Sequence, residues 1–233
     1  MAAFVLVHGA GDTGWSWHLV AAALQERGHE VFAPDLPGDD EALTLDDYAD
    51  AVVADVGGRR GGIVVGHSFG GFTAPIVADR LSADALVMLA AMIPSPGESP
   101  DEWWQNTGFG AASAAQAVLD GGLTGNADPF VGFYHDVDRP LAEEAMRRER
   151  AHPSSAAMVA GWPLASWPSM PTRVVVCTED RFFPPDFLRD LARTRLGVVA
   201  DEIRGSHCVA LSRPEELASI LIGYADGVDP AAI

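Results

Sequence analysis

The sequence predicts an α/β protein, with a mostly parallel sheet covered by helices on both faces and a helical cap inserted into it. Three observations predict this class. Short β-branched runs alternate with helical patterns from the first residues onward. Those runs are apolar at nearly every position, which marks strands buried on both faces. The rhythm then stops between about residues 95 and 170, where Ala, Gly, Pro and Trp dominate and no strand pattern occurs.

Strands are expected at Phe4 to His8, Glu30 to Ala33, Gly62 to Val65, Ala85 to Leu89, Arg173 to Thr178 and Val198 to Ile203. From Thr44 to Val56, the residues Leu45, Tyr48, Val52 and Val56 fall on one helical face; Leu217, Ile220, Leu221 and Tyr224 do the same near the end. Ser212 and Glu215 read as a capping box for that last helix, with Pro214 in its first turn. Residues 1–94 and 171–233 are thus expected to form the core and 95–170 the cap, with cap helices at Ala111 to Leu119 and Leu141 to Arg150. Trp103, Trp104, Trp162 and Trp167 give the cap large apolar surfaces; they serve equally for lining a substrate pocket or for packing the cap onto the core.

A chain of 233 residues, 48% hydrophobic, is long enough for one large core. It carries 33 acidic residues against 15 basic ones, every one of them arginine, for a net charge of −18. Such a field repels phosphate backbones and anionic lipid, so nucleic-acid and membrane-surface partners are excluded as expectations. The N-terminus has no basic lead-in, and its apolar run stops at His8, far short of the ~20 residues of a membrane span. Two cysteines, Cys177 and Cys208, are too few for a disulfide scaffold and suit a reducing cytoplasm. No metal or cofactor is expected, and a homodimer is allowed.

The strongest chemical signal is Gly66-His67-Ser68-Phe69-Gly70-Gly71, between the apolar run Ile63-Val64-Val65 and a helical pattern. G-x-S-x-G between strand and helix holds the serine in a strained turn and presents its hydroxyl at the sheet edge. Pro75 in the following helix predicts a kink or early break. A serine hydroxyl needs a base to take its proton. Of the seven histidines, His207 follows the last strand and precedes the last helix, where the chain order serine, acid, histidine requires it. The acid is expected in the loop after Arg173 to Thr178: Asp180 is the candidate, with Glu179 and Asp186 as rivals. Oxyanion donors are expected from the N–H of Phe69 and, in the glycine-rich loop after the first strand, the N–H of Ala10, with Gly9 letting substrate approach.

The same loop contains a competing motif. Gly9, Gly11 and Gly14 form G-x-G-x-x-G after a strand, with Asp35 about twenty residues further on, as in an NAD-dependent dehydrogenase. Trp15 follows the third glycine where close helix packing wants a small residue, and Asp35 sits within a Pro-Asp-Leu-Pro-Gly turn. That reading also leaves Ser68, Asp180 and His207 without a role.

With these segments in place, the chain resembles the α/β-hydrolase superfamily, particularly the branch of plant methylesterases and hydroxynitrile lyases. The segments that carry the resemblance are Phe4 to Gly9 with Trp15-Ser16-Trp17, Gly66 to Gly71, Thr178 to Arg181 with Phe183-Pro184, and Gly205-Ser206-His207. The resemblance implies an α/β-hydrolase fold, a Ser68, Asp180 and His207 triad, and oxyanion donors at Ala10 and Phe69. The lyases carry a threonine where this chain has Gly9 and a lysine where it has Cys208, so the esterase side matches better. The expected activity is hydrolysis of a small apolar or aromatic carboxylic ester through an acyl-enzyme. A C–C lyase and a non-catalytic small-molecule receptor are the alternatives on the same scaffold. The low-weight substrate-binding candidates are Gly9, Trp103, Trp104 and Trp162.

Overall fold

The computed structural model describes residues 1–38 and 40–227; the last six positions of the expected core lie outside the described residues. In chain order it forms β1 (Ala3–Val7), α1 (His18–Glu26), β2 (Glu30–Phe32), α2 (Leu45–Asp55), β3 (Ile63–His67), α3 (Gly70–Leu81) and β4 (Ala85–Leu89). The helices α4 (Pro100–Asn106), α5 (Phe109–Leu119), α6 (Pro129–Gly132), α7 (Arg139–Arg147) and α8 (Ser155–Val159) follow. The chain then returns through β5 (Thr172–Cys177), α9 (Pro185–Leu191), β6 (Asp201–Ile203), α10 (Val209–Ser212) and α11 (Pro214–Ala225).

The six strands make one all-parallel sheet in the order β2-β1-β3-β4-β5-β6. Right-handed crossovers that run first one way from β1 and then the other from β2 deliver helices to opposite faces. Accordingly α1 packs with α11, and α2 packs with α3. This covering explains the continuous apolar runs: every residue of β3 and β4 is buried. The strand order reverses between β1 and β3, the place where parallel sheets open a crevice at their carboxyl ends. The register pairs Val7 with Gly66 and Leu89 with His67, so the loops after β1 and β3 emerge side by side.

Three local expectations are corrected. The last strand is confined to Asp201–Ile203, leaving Val198 to Ala200 outside it. Ser212 does not cap α11: it closes α10, its hydroxyl has no hydrogen-bond partner among the described residues, and Arg213 is the N-cap residue, although Pro214 does open the helix. A residue already in a helical turn cannot also adopt the extended cap conformation. Pro75 breaks nothing, since α3 runs through to Leu81. Most of α3 is buried against β3, β4 and α2, and that packing outweighs the missing hydrogen bond.

Candidate active site

Ser68 sits between β3 and α3 with φ of 52°, a left-handed conformation that costs a non-glycine residue about 1–3 kcal/mol. Its backbone is pinned on both sides, the N–H donating to Leu89 O at 3.3 Å and the carbonyl accepting from Met92 N–H at 2.9 Å. Small neighbours make the turn feasible: a Cβ on Gly66 would lie 2.6 Å from Ala74 Cβ, and one on Gly70 would lie 2.7 Å from the His8 carbonyl oxygen. The glycines of the motif therefore serve the close seating of α3 against β1 and β3.

Asp180 lies in the turn after β5 and is buried. Its Oδ1 accepts the N–H groups of Phe182 and Phe183 at 2.8 and 3.0 Å, while Oδ2 faces Nδ1 of His207 at 2.7 Å. An ionised carboxylate only accepts, so His207 carries its proton on Nδ1 and leaves Nε2 as a bare acceptor. The rings of Phe133, Phe182 and Phe183 stand edge-on to His207, with centroids 5.1 to 5.6 Å away. The rivals are elsewhere engaged: Glu179 pairs with Arg204, and exposed Asp186 with Arg189.

Two neighbouring residues before α7 tie these loops together. His135 Nε2–H donates to Glu179 O at 2.9 Å, beside Asp180, and Asp136 Oδ2 accepts the Ser206 N–H at 3.0 Å, beside His207.

The loop after β1 supplies the opposite wall. Leu36 N–H donates to His8 Nε2 at 2.9 Å, so the ring proton lies on Nδ1, which donates to Gly9 O at 2.9 Å. In a trans peptide the carbonyl and the following N–H point in opposite directions; the Ala10 N–H is thereby turned away from His8. Among the described residues neither Ala10 N–H nor Phe69 N–H has a protein acceptor.

A cavity of about 290 Å³ joins these elements; its lining includes Gly9, Ala10, Ser68 and His207. Ser68 and His207 share its wall, and among the described residues no hydrogen bond joins the Ser68 hydroxyl to the imidazole. Trp103 and Trp162 are corrected as pocket candidates. Both are buried in the core, their indole N–H groups donating to Ile93 O and Phe72 O, and Trp104 packs against Phe109, Phe182 and Phe183. The aromatic lining comes instead from Phe133, Tyr134 and Phe182. Sequence reasoning missed Asp12 and His67, which lie inside the quoted motifs, and Phe133, Tyr134 and Glu149, which carry no local signal.

The dinucleotide motif has a different use. Gly14 N–H donates to Asp35 Oδ1 at 2.8 Å, and Asp35 Oδ2 lies 3.6 Å from Arg150. The carboxylate that a dehydrogenase would place on a ribose instead ties the loop after β2 to the loop after β1. Among the described residues no cluster of three or more metal-ligating side chains occurs, and no helix is long and apolar enough to cross a membrane.

A family model described as "Alpha/beta hydrolase family" matches residues 4–220. The chain is 27% identical to methylesterase 7 of Arabidopsis thaliana over 249 residues, covering 96% of each protein. It is 28% identical to salicylic acid-binding protein 2 of Nicotiana tabacum over 251 residues, covering 95% of this chain and 96% of that one. The solved structure of polyneuridine aldehyde esterase superposes with a TM-score of 0.78 at 23% identity, covering 97% of this chain and 100% of that one.

Proposed function

The chain belongs to the alpha/beta hydrolase family, related to methylesterases and other esterases, and from that membership we propose that it hydrolyses a small carboxylic ester through an acyl-enzyme on Ser68. One observation carries the reading: His207, its Nδ1–H held by Asp180 at 2.7 Å, keeps a bare Nε2 in the same pocket as the strained Ser68.

In this mechanism Ser68 Oγ attacks the ester carbonyl as its proton passes to His207 Nε2. Asp180 stabilises the imidazolium and keeps the tautomer fixed. The developing oxyanion accepts from the Ala10 and Phe69 N–H groups, which among the described residues have no other acceptor to give up. Collapse expels the alkoxide, which takes the proton from His207 and leaves as the alcohol. Water then attacks the acyl-serine, giving its proton to His207, and the second collapse returns that proton to Ser68 and releases the acid. The hydrogen bond that this mechanism needs between Ser68 and His207 is of the kind that forms once substrate fills the site.

The cavity of about 290 Å³ and the rings of Phe133, Tyr134 and Phe182 support a small ester with an aromatic part. Unpaired Cys177 and Cys208 support a reducing compartment. The test is hydrolysis of 4-nitrophenyl esters of graded length and methyl esters of aromatic acids, beside labelling by a fluorophosphonate probe. Wild type should turn over the shorter esters and be labelled, and Ser68→Ala should do neither. Labelling retained by Ser68→Ala would defeat the assignment.

A further inference from the structure

His67 is buried behind Ser68, its side chain 9% exposed. Its Nε2 lies 2.9 Å from the carbonyl oxygen of His207. A carbonyl only accepts, so Nε2 carries the proton; burial pushes the pKa of the ring down to about 3, so it is neutral and Nδ1 is a bare acceptor. Asp12 Oδ2 stands 4.0 Å from that Nδ1. Above about pH 7, where Asp12 is ionised, two acceptors thus face each other across the pocket wall, and among the described residues neither has a protein donor. Two acceptors 4.0 Å apart on a pocket wall leave room for one ligand donor to serve both.

The surroundings specify the donor's charge. The lining includes two carboxyl groups, Asp12 and Glu149, and three aromatic rings, Phe133, Tyr134 and Phe182, but no arginine. The guanidinium of Arg150, next in sequence to Glu149, is turned to Asp35. Carboxylates and ring faces both attract a cation, and the net charge of −18 adds long-range attraction of the same sign.

We propose that this pocket receives an ester bearing a protonated amine, whose N–H groups bridge Asp12 Oδ2 and His67 Nδ1 while its carbonyl lies against Ser68. This ligand class rests on the hydrolase reading for its turnover, and on the acceptor pair alone for its binding. A neutral alkyl group of the same size leaves both acceptors unpaired, and a carboxylate opposes Asp12 and Glu149. Asp12 and His67 are thereby assigned to substrate selection.

The experiment compares methyl 4-(aminomethyl)benzoate with methyl 4-ethylbenzoate, its neutral isostere, and with methyl 4-(carboxymethyl)benzoate, alongside the 3-substituted isomers, at about pH 8. kcat/KM for the better amine isomer should exceed that of the matching ethyl compound by tenfold or more, mainly through KM, with the carboxylate poorest. In Asp12→Asn the ratio of amine to ethyl ester should fall to about two or less, whatever the change in absolute rate. Calorimetry on Ser68→Ala with the same esters reads binding without turnover. Amine-selective binding without hydrolysis by wild type would overturn the esterase reading and leave the ligand class standing. Hydrolysis with no preference for the amine, or a preference unchanged in Asp12→Asn, would overturn the ligand class and leave the esterase standing.

Discussion

Asp180 divides its carboxylate between two tasks: Oδ2 holds the Nδ1 of His207 at 2.7 Å, and Oδ1 holds the N–H groups of Phe182 and Phe183. The second set fixes the direction in which the first can act. An amide in place of the carboxylate keeps the size but can present N–H to the imidazole and select the wrong tautomer. Asp180→Asn is expected to lower kcat by roughly 10³–10⁴-fold with little change in fold. Asp186→Asn, at an exposed residue paired with Arg189, should stay within about twofold. Steady-state kinetics of the two variants on one 4-nitrophenyl ester checks this, and equal activities would refute the role of Asp180.

Gly9 brings the loop after β1 close against Ser68. A Cβ there would lie 2.9 Å from Ser68 Cβ and 3.4 Å from His67 Nδ1. Gly9→Ala must therefore displace the loop that offers the Ala10 N–H. The expected loss is about 10²–10³-fold in kcat, the range for loss of one oxyanion donor, with an unfolding midpoint close to wild type. Unchanged kcat would mean that Ala10 does not bind the oxyanion.

Cyanohydrin cleavage needs a cation beside the departing cyanide. Cys208 adjoins His207 in the pocket, and burial pushes its thiol well above the usual range, so it stays neutral. With no lysine in the chain and no arginine in the pocket lining, mandelonitrile should release cyanide at the uncatalysed rate while activated esters turn over. Ser68-dependent cyanide release would reverse the choice between the two chemistries.

Acid should unfold this protein through its buried histidines. Burial pushes His67 and His152 down to about 3 and also lowers His8. Unfolded, each takes up a proton below about pH 6.5, so their contribution to stability is complete above that pH and is lost as pH falls toward 3. Asp12, pushed up to about 7 by burial, acts in the opposite direction: folded, it is already protonated at pH 5. For these four groups the balance near pH 5 is an uptake of about one to two protons on unfolding, or about 1.4–2.8 kcal/mol lost per pH unit. Denaturant titrations from pH 7 to 4.5 measure it, and His152→Leu should flatten the slope by about one proton.

The same Asp12 gives the amine selectivity a pH dependence. His67, His207, Glu149, Tyr134 and Cys208 line the pocket with it. His67 stays neutral throughout, and the Tyr134 and Cys208 pKa values are raised, which keeps both uncharged. Below about pH 7 Asp12 is protonated and can donate to His67 Nδ1 itself, removing the need for a ligand donor. The ratio of kcat/KM for amine over ethyl ester should therefore rise from pH 6 to 8 in wild type and stay flat in Asp12→Asn.

The legible part of the molecule was local. The central strands were readable because a strand covered on both faces is apolar at nearly every position, and β3 and β4 are buried throughout. Strand ends with half-buried residues were less legible, and β6 came out shorter than expected. Gly66 to Gly71 could be read because the strained turn at Ser68 imposes its small neighbours within a few residues. The candidate pocket walls were not legible. Trp103 and Trp162 look like pocket residues by type, yet their N–H groups found acceptors inside the core and their rings followed.

By itself the sequence determined the α/β class, the all-but-continuous burial of the central strands and the loops from which Ser68, Asp180 and His207 emerge, because each depends on contacts only a few residues apart. Only the tertiary structure decided that Asp180 rather than Glu179 or Asp186 meets His207, that Asp35 turns back on Gly14, and that Asp12 faces His67. Those pairings join residues from different strand ends. Their distances are set by the parallel register and by what covers the sheet, and no run of neighbouring residues encodes either.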